Sequence, residues 1–384
     1  MAWEKTRVLF RRRYQLEYLI VSYEPGRWNF SDNTDLSEVL VVARRLHNEK
    51  GGEEADCSVI CVTLWRNPAS PVEALGIAHA ILKGGPPDVA QGQGALSIVL
   101  GESKFGEAVS APWAEIRDGS WLLGCAFGQH DLLRATYHLA GGRLWFPGQG
   151  IVASIPLRPL GELGDLGPDR RDIHDGFSLA KGPTSYPAFW SHDATAMATI
   201  AQEPNAYLDP LSKAKEKRPL RKVEDLWPKA GRLLVAERLR LNTQRLIAVR
   251  VSERVLSNVW WPVALRDEEA SRVLALWLNS TLGLVLFMAH REETEGAWVA
   301  FKKPVLTAMP VLDVEALSAD QRRALADAYD LLCREPLLPF PEMAQDSTRQ
   351  LIDDAICQVL GLPDVSPLRQ LLAREPIVCL RPLV

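Results

Sequence analysis

The stretch that most limits what this chain can become is "RVLALWLNSTLGLVLFMAH", residues 272–290. A membrane span needs an unbroken apolar run of about 20 residues. Here Asn279, Ser280, Thr281 and Gly283 interrupt the run at its centre. The stretch therefore predicts a core helix, a turn and a second element rather than a span. The opening residues, "MAWEKTRVLFRRRYQLEY", mix charges through the apolar positions and offer no small-residue cleavage site, so they do not read as a signal peptide.

With 384 residues the chain is too long for one small core, and two or three domains are expected. Apolar residues make up 47% and charged residues 24%, with a formal net charge of −4, the balance of a globular protein. Totals of this kind do not advertise a nucleic-acid binder, but local basic patches decide that question. Six cysteines (Cys57, Cys61, Cys125, Cys333, Cys357 and Cys379) form no paired ligand spacing. Cys57 and Cys61 would share one face of a strand, and no further soft ligands lie near, so buried free thiols are expected. No metal is implied, and a reducing cytoplasm suits the thiols.

Three strand-like runs, "YQLEYLIVSY", "SEVLVVARR" and "CSVICVTLW", occupy residues 14–66 and predict the edge of a mixed sheet. The middle run, Glu38 to Ala43 with three valines, reads as a strand buried on both faces. A helix follows from Pro68 to Leu82, with Ser70 as N-cap and Pro71 in the first helical position. Residues 84–94 are a loop. The prolines and glycines of 151–177 mark a linker into a third region of basic, alternating strands, "RLLVAERLRL", "RLIAVRVSERVL" and "NVWWPVAL". An amphipathic "DEEASRVLALWLNST" comes next, then a strand-like pair around "GAWVAFKKPVLTAMPVL". The tail, 318–384, predicts helices opened by Ser or Asp caps.

Several of these stretches resemble DNA methyltransferases that modify the exocyclic amino group of adenine, in restriction-modification and phage-defence systems. The pattern after their catalytic strand is matched by Arg7, Tyr14, Tyr18, Val21, Ser22, Pro25, Phe30, Thr34, Ser37, Glu38 and Val39 through Arg45. The resemblance implies that Phe30, in "NFSDNTD", stacks on the adenine after it leaves the duplex. An enzyme that modifies a base must extrude it, and an aromatic face replaces the lost stacking. The alternative is that Phe30 caps the core beneath a turn. Further on, "AERLRLNTQRLIAVRV", "LSNVWWPV", "ALWLNSTLGLVL" and "REETEGAWVAFKKPVLTAMPVLD" are similar to the target-recognition region of that family, with an Asn-Ser on a helix near its start. The closing "ICQVLGLPD" and "LRQLLAREP" resemble its C-terminal helices.

Two motifs the family's chemistry requires are missing. One is the glycine-rich strand-to-helix turn that approaches S-adenosylmethionine. The other is the Asn/Asp-Pro-Pro-aromatic tetrapeptide, whose carbonyls orient the target amino group. "RNPASP", "LDPL" and "GGPPDV" each lack part of that tetrapeptide, and the Gly-x-Gly of "AQGQGAL" lacks its downstream acidic partner. No nucleophile elbow, phosphate-binding loop or His-Glu-x-x-His occurs. His174 and His192 each adjoin an Asp, the pair a general base and its orienter would form, but polar surface contacts are the expected role.

Basic clusters occur at Arg11–Arg13, at Lys302–Lys303 and in "KAKEKRPLRK" (213–222), which sets six basic residues against one acid. Lys213, Lys215, Lys217, Arg218, Arg221, Lys222, Lys302 and Lys303 are expected to contact DNA phosphates. Most of the twelve tryptophans lie in apolar strands and are assigned to the core.

The expectation is thus an α/β chain in four parts. Residues 1–66 form edge strands of a Rossmann-like methyltransferase sheet, and 67–150 an α/β connection. Residues 151–315 form an α+β target-recognition region, and 316–384 a helical tail. Function follows as the C-terminal part or a subunit of an adenine-specific DNA methyltransferase. It would bind double-stranded DNA and pair with an upstream-encoded polypeptide carrying the catalytic motifs. S-adenosylmethionine is expected for the complete enzyme and no cofactor for this chain alone, without activity by itself and without a membrane. A non-enzymatic specificity subunit and an inactive truncated frame stay open beside this reading.

Overall fold

A computed structural model describes residues 4–24, 39–46, 57–87, 94–113, 126–190, 193, 197–215, 218–293 and 298–383. Phe30, Thr34, Cys125, His192 and Lys217 lie outside the described residues. The chain divides into two compact units. One comprises Met1–Ala153 with Arg374–Val384, the other Ser154–Ala373. The architecture is mixed α/β, with several sheets and a helical C-terminal region.

The first unit begins with α1 (Glu4–Arg13), which runs directly into β1 (Tyr14–Ser22). β2 (Leu40–Arg45) pairs antiparallel with β1, and β3 (Ser58–Leu64) pairs parallel with β1's other edge, Tyr18 opposite Ile60. From β3 the chain enters α2 (Pro71–Gly84), then β4 (Leu96–Leu100) and β5 (Ser103–Pro112). The five strands form one mixed sheet in the order β2-β1-β3-β5-β4. Thus β4 and β5, from the expected connection, extend the sheet begun by residues 14–64. Helix α2 starts as its sequence dictates. Ser70 accepts from the Glu73 N–H at 3.2 Å, Pro71 fills the first turn, and Gly85 ends it in the left-handed region at φ 60°.

One face of the sheet packs Val62, Ile98, Phe105 and Ala108 against Ile77 and Ile81 of α2. Strand alternation sends Thr63 to the opposite face, where its hydroxyl donates to Gly128 O at 3.1 Å. Gly106 is required by close approach, since a Cβ there would lie 2.0 Å from Thr63 O. Helix α3 (His130–Ala140) and the hairpin β6 (Arg143–Phe146) and β7 (Gly150–Ser154) follow. The expected two-sided burial is corrected here for residues 39–43, Glu38 lying outside the described residues. Among the described residues β2 pairs with β1 alone, and Val39, Leu40 and Val42 are exposed. A valine run signals strand propensity, whereas burial on both faces requires cover that this outer strand lacks.

The second unit opens with β8 (Leu157–Pro159), β9 (Gly164–Leu166) and the short helix α4 (Arg170–Gly176). The small strands β10 (Phe177–Leu179), β11 (Pro187–Phe189), β12 (Ala201–Gln202) and β13 (Ala206–Pro210) follow. Then come β14 (Gly231–Ala236), β15 (Arg238–Arg240), β16 (Ala248–Ser257) and β17 (Trp260–Leu265). The main sheet runs β10-β13-β11-β16-β14-β17-β9, with β12 beside β16.

Helices α5 (Glu268–Asn279) and α6 (Thr281–Ala289) meet at Ser280 with a bend of 76°. The predicted break in the long apolar stretch is therefore real. Every residue of α6 is buried, as is α5 from Val273 to Asn279. Side chains such as Leu276, Trp277 and Leu284 each contribute about 1.5–3 kcal/mol by leaving water. No single described helix is long and apolar enough to cross a membrane.

A three-stranded sheet follows from β15, β19 (Trp298–Ala300) and β18 (Glu292–Glu293), and β20 (Pro310–Leu312) pairs with β8. From the expected tail, α7 (Ala319–Leu332) and α8 (Ser347–Leu360) pack within this unit, and α9 (Ser366–Arg374) follows. Ser318 and Asp346 cap α7 and α8 as their positions predict.

Candidate nucleic-acid interface

The basic segment 213–222 lies against α4. Asp169 caps that helix, accepting from the N–H groups of Arg171 (2.8 Å) and Asp172 (3.0 Å). Arg218 pairs with the buried Asp175 at 2.7 Å, and Arg221 with Asp172 at 2.9 Å. The Lys215 ammonium donates to His174 O. Three of the expected phosphate contacts thus also strap their own segment to α4. Both arginines stay about half exposed, and Lys213 and Lys222 are exposed. The Arg221–Asp172 pair, open to water on both sides, contributes at most about 1 kcal/mol, whereas the buried Asp175 holds Arg218 more firmly.

Among the described residues no carboxylate bonds the His174 ring. Its ring accepts from Arg170 Nε at 3.4 Å and meets the edge of Trp190 at 5.6 Å. Partial burial, then Arg170 and Lys215, hold its pKa below the usual histidine range. The expected polar-contact role is the one observed.

Lys302 and Lys303 diverge although adjacent. Lys303 Nζ donates to Leu166 O (2.7 Å) and Gly167 O (3.0 Å), bracketing the end of β9. Burial first, then Lys229, pulls its pKa down. Lys302 is largely exposed and pairs with Glu292 at 2.5 Å.

A further basic group lies on β15 and was missed as a site in the sequence. Leu239 is fully buried between exposed Arg238 and Arg240, the period of two that "RLR" spells on a strand. Register places Arg240 opposite Trp298 and Arg238 opposite Ala300. Both guanidiniums lie over the half-exposed indole of Trp298, at 4.8 Å for Arg238 and 5.2 Å for Arg240. Among the described residues neither arginine has an ion-pair partner. Glu237 is the residue before β15. Burial raises the Glu237 pKa most, and Asp169 raises it further.

The framework beneath is a buried polar junction. Asn279 Oδ1 accepts from Ile247 N at 3.1 Å, and its Nδ2 donates to Ala248 O (2.8 Å) and Ala275 O (2.9 Å). Ser280 caps α6 through Gly283 N at 3.2 Å. Asp353 accepts from Thr281 N (2.7 Å), Thr281 Oγ1 (2.6 Å) and Arg369 Nη1 (2.5 Å). A Cβ on Gly283 would lie 2.1 Å from Trp277 O, so the bend itself requires glycine.

A shallow recess of about 310 Å³, including open solvent, lies between β14, β17 and the start of α5. Of the arginines on its rim, Arg232 pairs with Glu268 at 3.2 Å, and Arg254 donates to Ala230 O (3.1 Å) and Pro228 O (2.9 Å). Of the Gly-x-Gly in "AQGQGAL", Gly94 precedes β4, and Gly92 and Gln93 lie outside the described residues. No metal-holding group of His, Cys, Asp or Glu occurs among the described residues.

No protein-family model and no curated protein matches this sequence. Among solved structures, the chain is similar to the type IIG restriction endonuclease BpuSI, with a TM-score of 0.43 and 11% identity. The alignment covers 97% of this chain and 44% of that one, so the chain spans less than half its length.

Proposed function

We propose that this chain supplies DNA target recognition to an adenine-specific DNA methyltransferase of restriction-modification or phage-defence type. S-adenosylmethionine and the Asn-Pro-Pro-aromatic motif would come from outside these 384 residues. Phe30 would stack on the flipped adenine. Lys213, Lys215, Lys217, Arg218, Arg221, Lys222 and Lys302 would meet phosphates, while Lys303 would act mainly on the fold.

The observation that carries the reading is where the family-like stretches fall. "AERLRLNTQRLIAVRV", "LSNVWWPV" and "ALWLNSTLGLVL" are successive parts of one framework in the second unit, β14 through α6, with Asn279-Ser280 as its buried junction. The same framework holds up exposed cations on β15. The exposed valines and leucine of the outer strand β2 favour a partner polypeptide, because an unpaired strand edge is a template for another strand.

The test is co-expression with the polypeptide encoded immediately upstream. Methyl transfer from labelled S-adenosylmethionine to adenine should require both chains. Saturable binding of S-adenosylmethionine by this chain alone would overturn the division of labour. DNA binding without any methylation of the DNA by the pair would favour the specificity-subunit alternative.

A further inference from the structure

We infer that the outer face of α2 is the contact by which two copies of this chain associate, with the two helices antiparallel about a two-fold axis.

The helix carries two apolar stripes. Ile77 and Ile81 pack against the first unit's sheet. Val72, Leu75 and Leu82 point the other way and are 78%, 71% and 69% exposed. With the exposed His79 they recur at steps of three, four and three residues, the spacing of a seam between two packed helices. A helix that is apolar on opposite faces is ordinarily covered on both. The exposed Ala74 and Ala78 beside the seam have no bulk to hold a second helix away.

The charges at the two ends select the occupant. Glu73 lies in the first turn and Lys83 in the last. An antiparallel copy sets Val72 against the partner's Leu82 and Leu75 against the partner's His79. It also brings each Lys83 alongside the partner's Glu73. Glu73 already accepts from Ala69 N at 2.6 Å and lies 3.9 Å from Arg66, but a carboxylate has acceptor sites to spare. A parallel copy would instead set His79 on His79 and Lys83 on Lys83, and would align the helix dipoles end for end. The face is therefore complementary to itself in one direction. His79 sharpens the register, because a polar group in an apolar seam penalises every slip that buries it against another. One helix of 14 residues offers less area than a standard interface, so the dimer is weak and reversible, with a dissociation constant of about 10–100 µM.

The experiment is sedimentation velocity of the full chain from about 2 to 200 µM, a range that brackets that constant. Wild type should pass from monomer to dimer. Leu75→Glu and Leu82→Glu should each stay monomeric throughout, with the melting temperature of wild type, since both side chains already face water in the monomer. Lys83→Glu should weaken the dimer roughly two- to fivefold, the size of an exposed charge pair. Leu331→Glu, on α7 and 78% exposed, should dimerise as wild type does. Where glutamate lowers the melting temperature, Leu75→Ala combined with Leu82→Ala keeps good helix formers at both positions and carries the same expectation.

A wild-type chain that is still monomeric at the highest concentration overturns the inference. So does a dimer that ignores both seam substitutions, or one lost equally in Leu331→Glu. A one-to-one complex with the upstream-encoded polypeptide, in which the α2 amides gain exchange protection that wild type alone never shows, assigns the face to that polypeptide and overturns the second copy.

Discussion

Each unit buries a helix start beneath polar groups, and the two solve that problem differently. In the second unit, side chains bond the backbone groups at the junction of α5 and α6, although Arg369 Nε has no partner among the described residues. Asn279 bonds three backbone groups of β16, its approach and α5, while Asp353 takes two donors from Thr281 and one from Arg369. In the first unit, carboxylates from far along the chain cap α3. Glu375 accepts from Gly128 N (3.0 Å), Gln129 N (3.0 Å) and Gln129 Nε2 (2.9 Å), and Glu107 from His130 N (3.1 Å). Yet among the described residues neither ring nitrogen of the fully buried His130 has a partner. A network of bonded side chains makes a rigid frame. An imidazole without partners makes its unit sensitive to protons.

The largest expected effect tests that network. Asp353→Ala leaves buried Arg369 and the Thr281 N–H without their acceptor. Removing one member of a buried pair costs about 3–5 kcal/mol. Hydrogen exchange followed by mass spectrometry should show the loss in peptides of α5, α6 and α8, with the first unit's sheet unaffected. A loss below about 1 kcal/mol would mean the two units do not differ in the way described.

Next comes acid. Burial pulls the His130 pKa from 6.5 to about 4, with Arg134 and Lys104 adding to the fall and Glu107 opposing it. The unfolded chain therefore takes the proton first. The stability due to neutral His130 is complete above pH 6.5, is lost as pH falls toward 4, and changes no further below that. The loss amounts to about 3 kcal/mol, taken from the first unit only. His130→Leu should remove that pH dependence. If exchange in α3 is as pH-independent in wild type as in His130→Leu, the imidazole is not held neutral.

What could be read from the sequence was what local rules govern. Ser70-Pro71 announced α2, the polar interruption at Asn279–Gly283 announced the bend, and Ser318 and Asp346 announced their helices. What could not be read depends on partners brought together by the fold. Glu375 and Gly128 are 247 residues apart, and no period or motif connects them. The "RLR" of β15 gave its alternation away, but only the register with β19 sets Trp298 beneath both arginines. The valines of β2 misled because a strand's composition reports its conformation more faithfully than its neighbours.

The same split between near and far partners predicts a third, intermediate effect. Glu375→Ala removes three donors' acceptor from the start of α3, at a site that is fully buried. An unsatisfied buried donor costs about 1–3 kcal/mol. The alanine also leaves room where the carboxylate stood, so partial hydration should keep the cost near about 2 kcal/mol. Glu375→Gln keeps an acceptor oxygen but brings an amide donor beside existing N–H donors, and should recover only part of the loss.

The smallest effect is its exposed counterpart. Ser318 caps α7 with both halves of a capping box, its hydroxyl accepting from Gln321 N at 3.2 Å and Gln321 Oε1 accepting from Ser318 N at 3.0 Å. The bonds resemble those of Glu375, but water replaces them when they are removed. Ser318→Ala should therefore cost about 1 kcal/mol and loosen exchange only in the first turn of α7. Because the cap is local in sequence, the effect should stay local in structure. If Ser318→Ala costs as much as Glu375→Ala, burial is not what separates the two caps, and the contrast between the units must lie in the length of chain each contact closes.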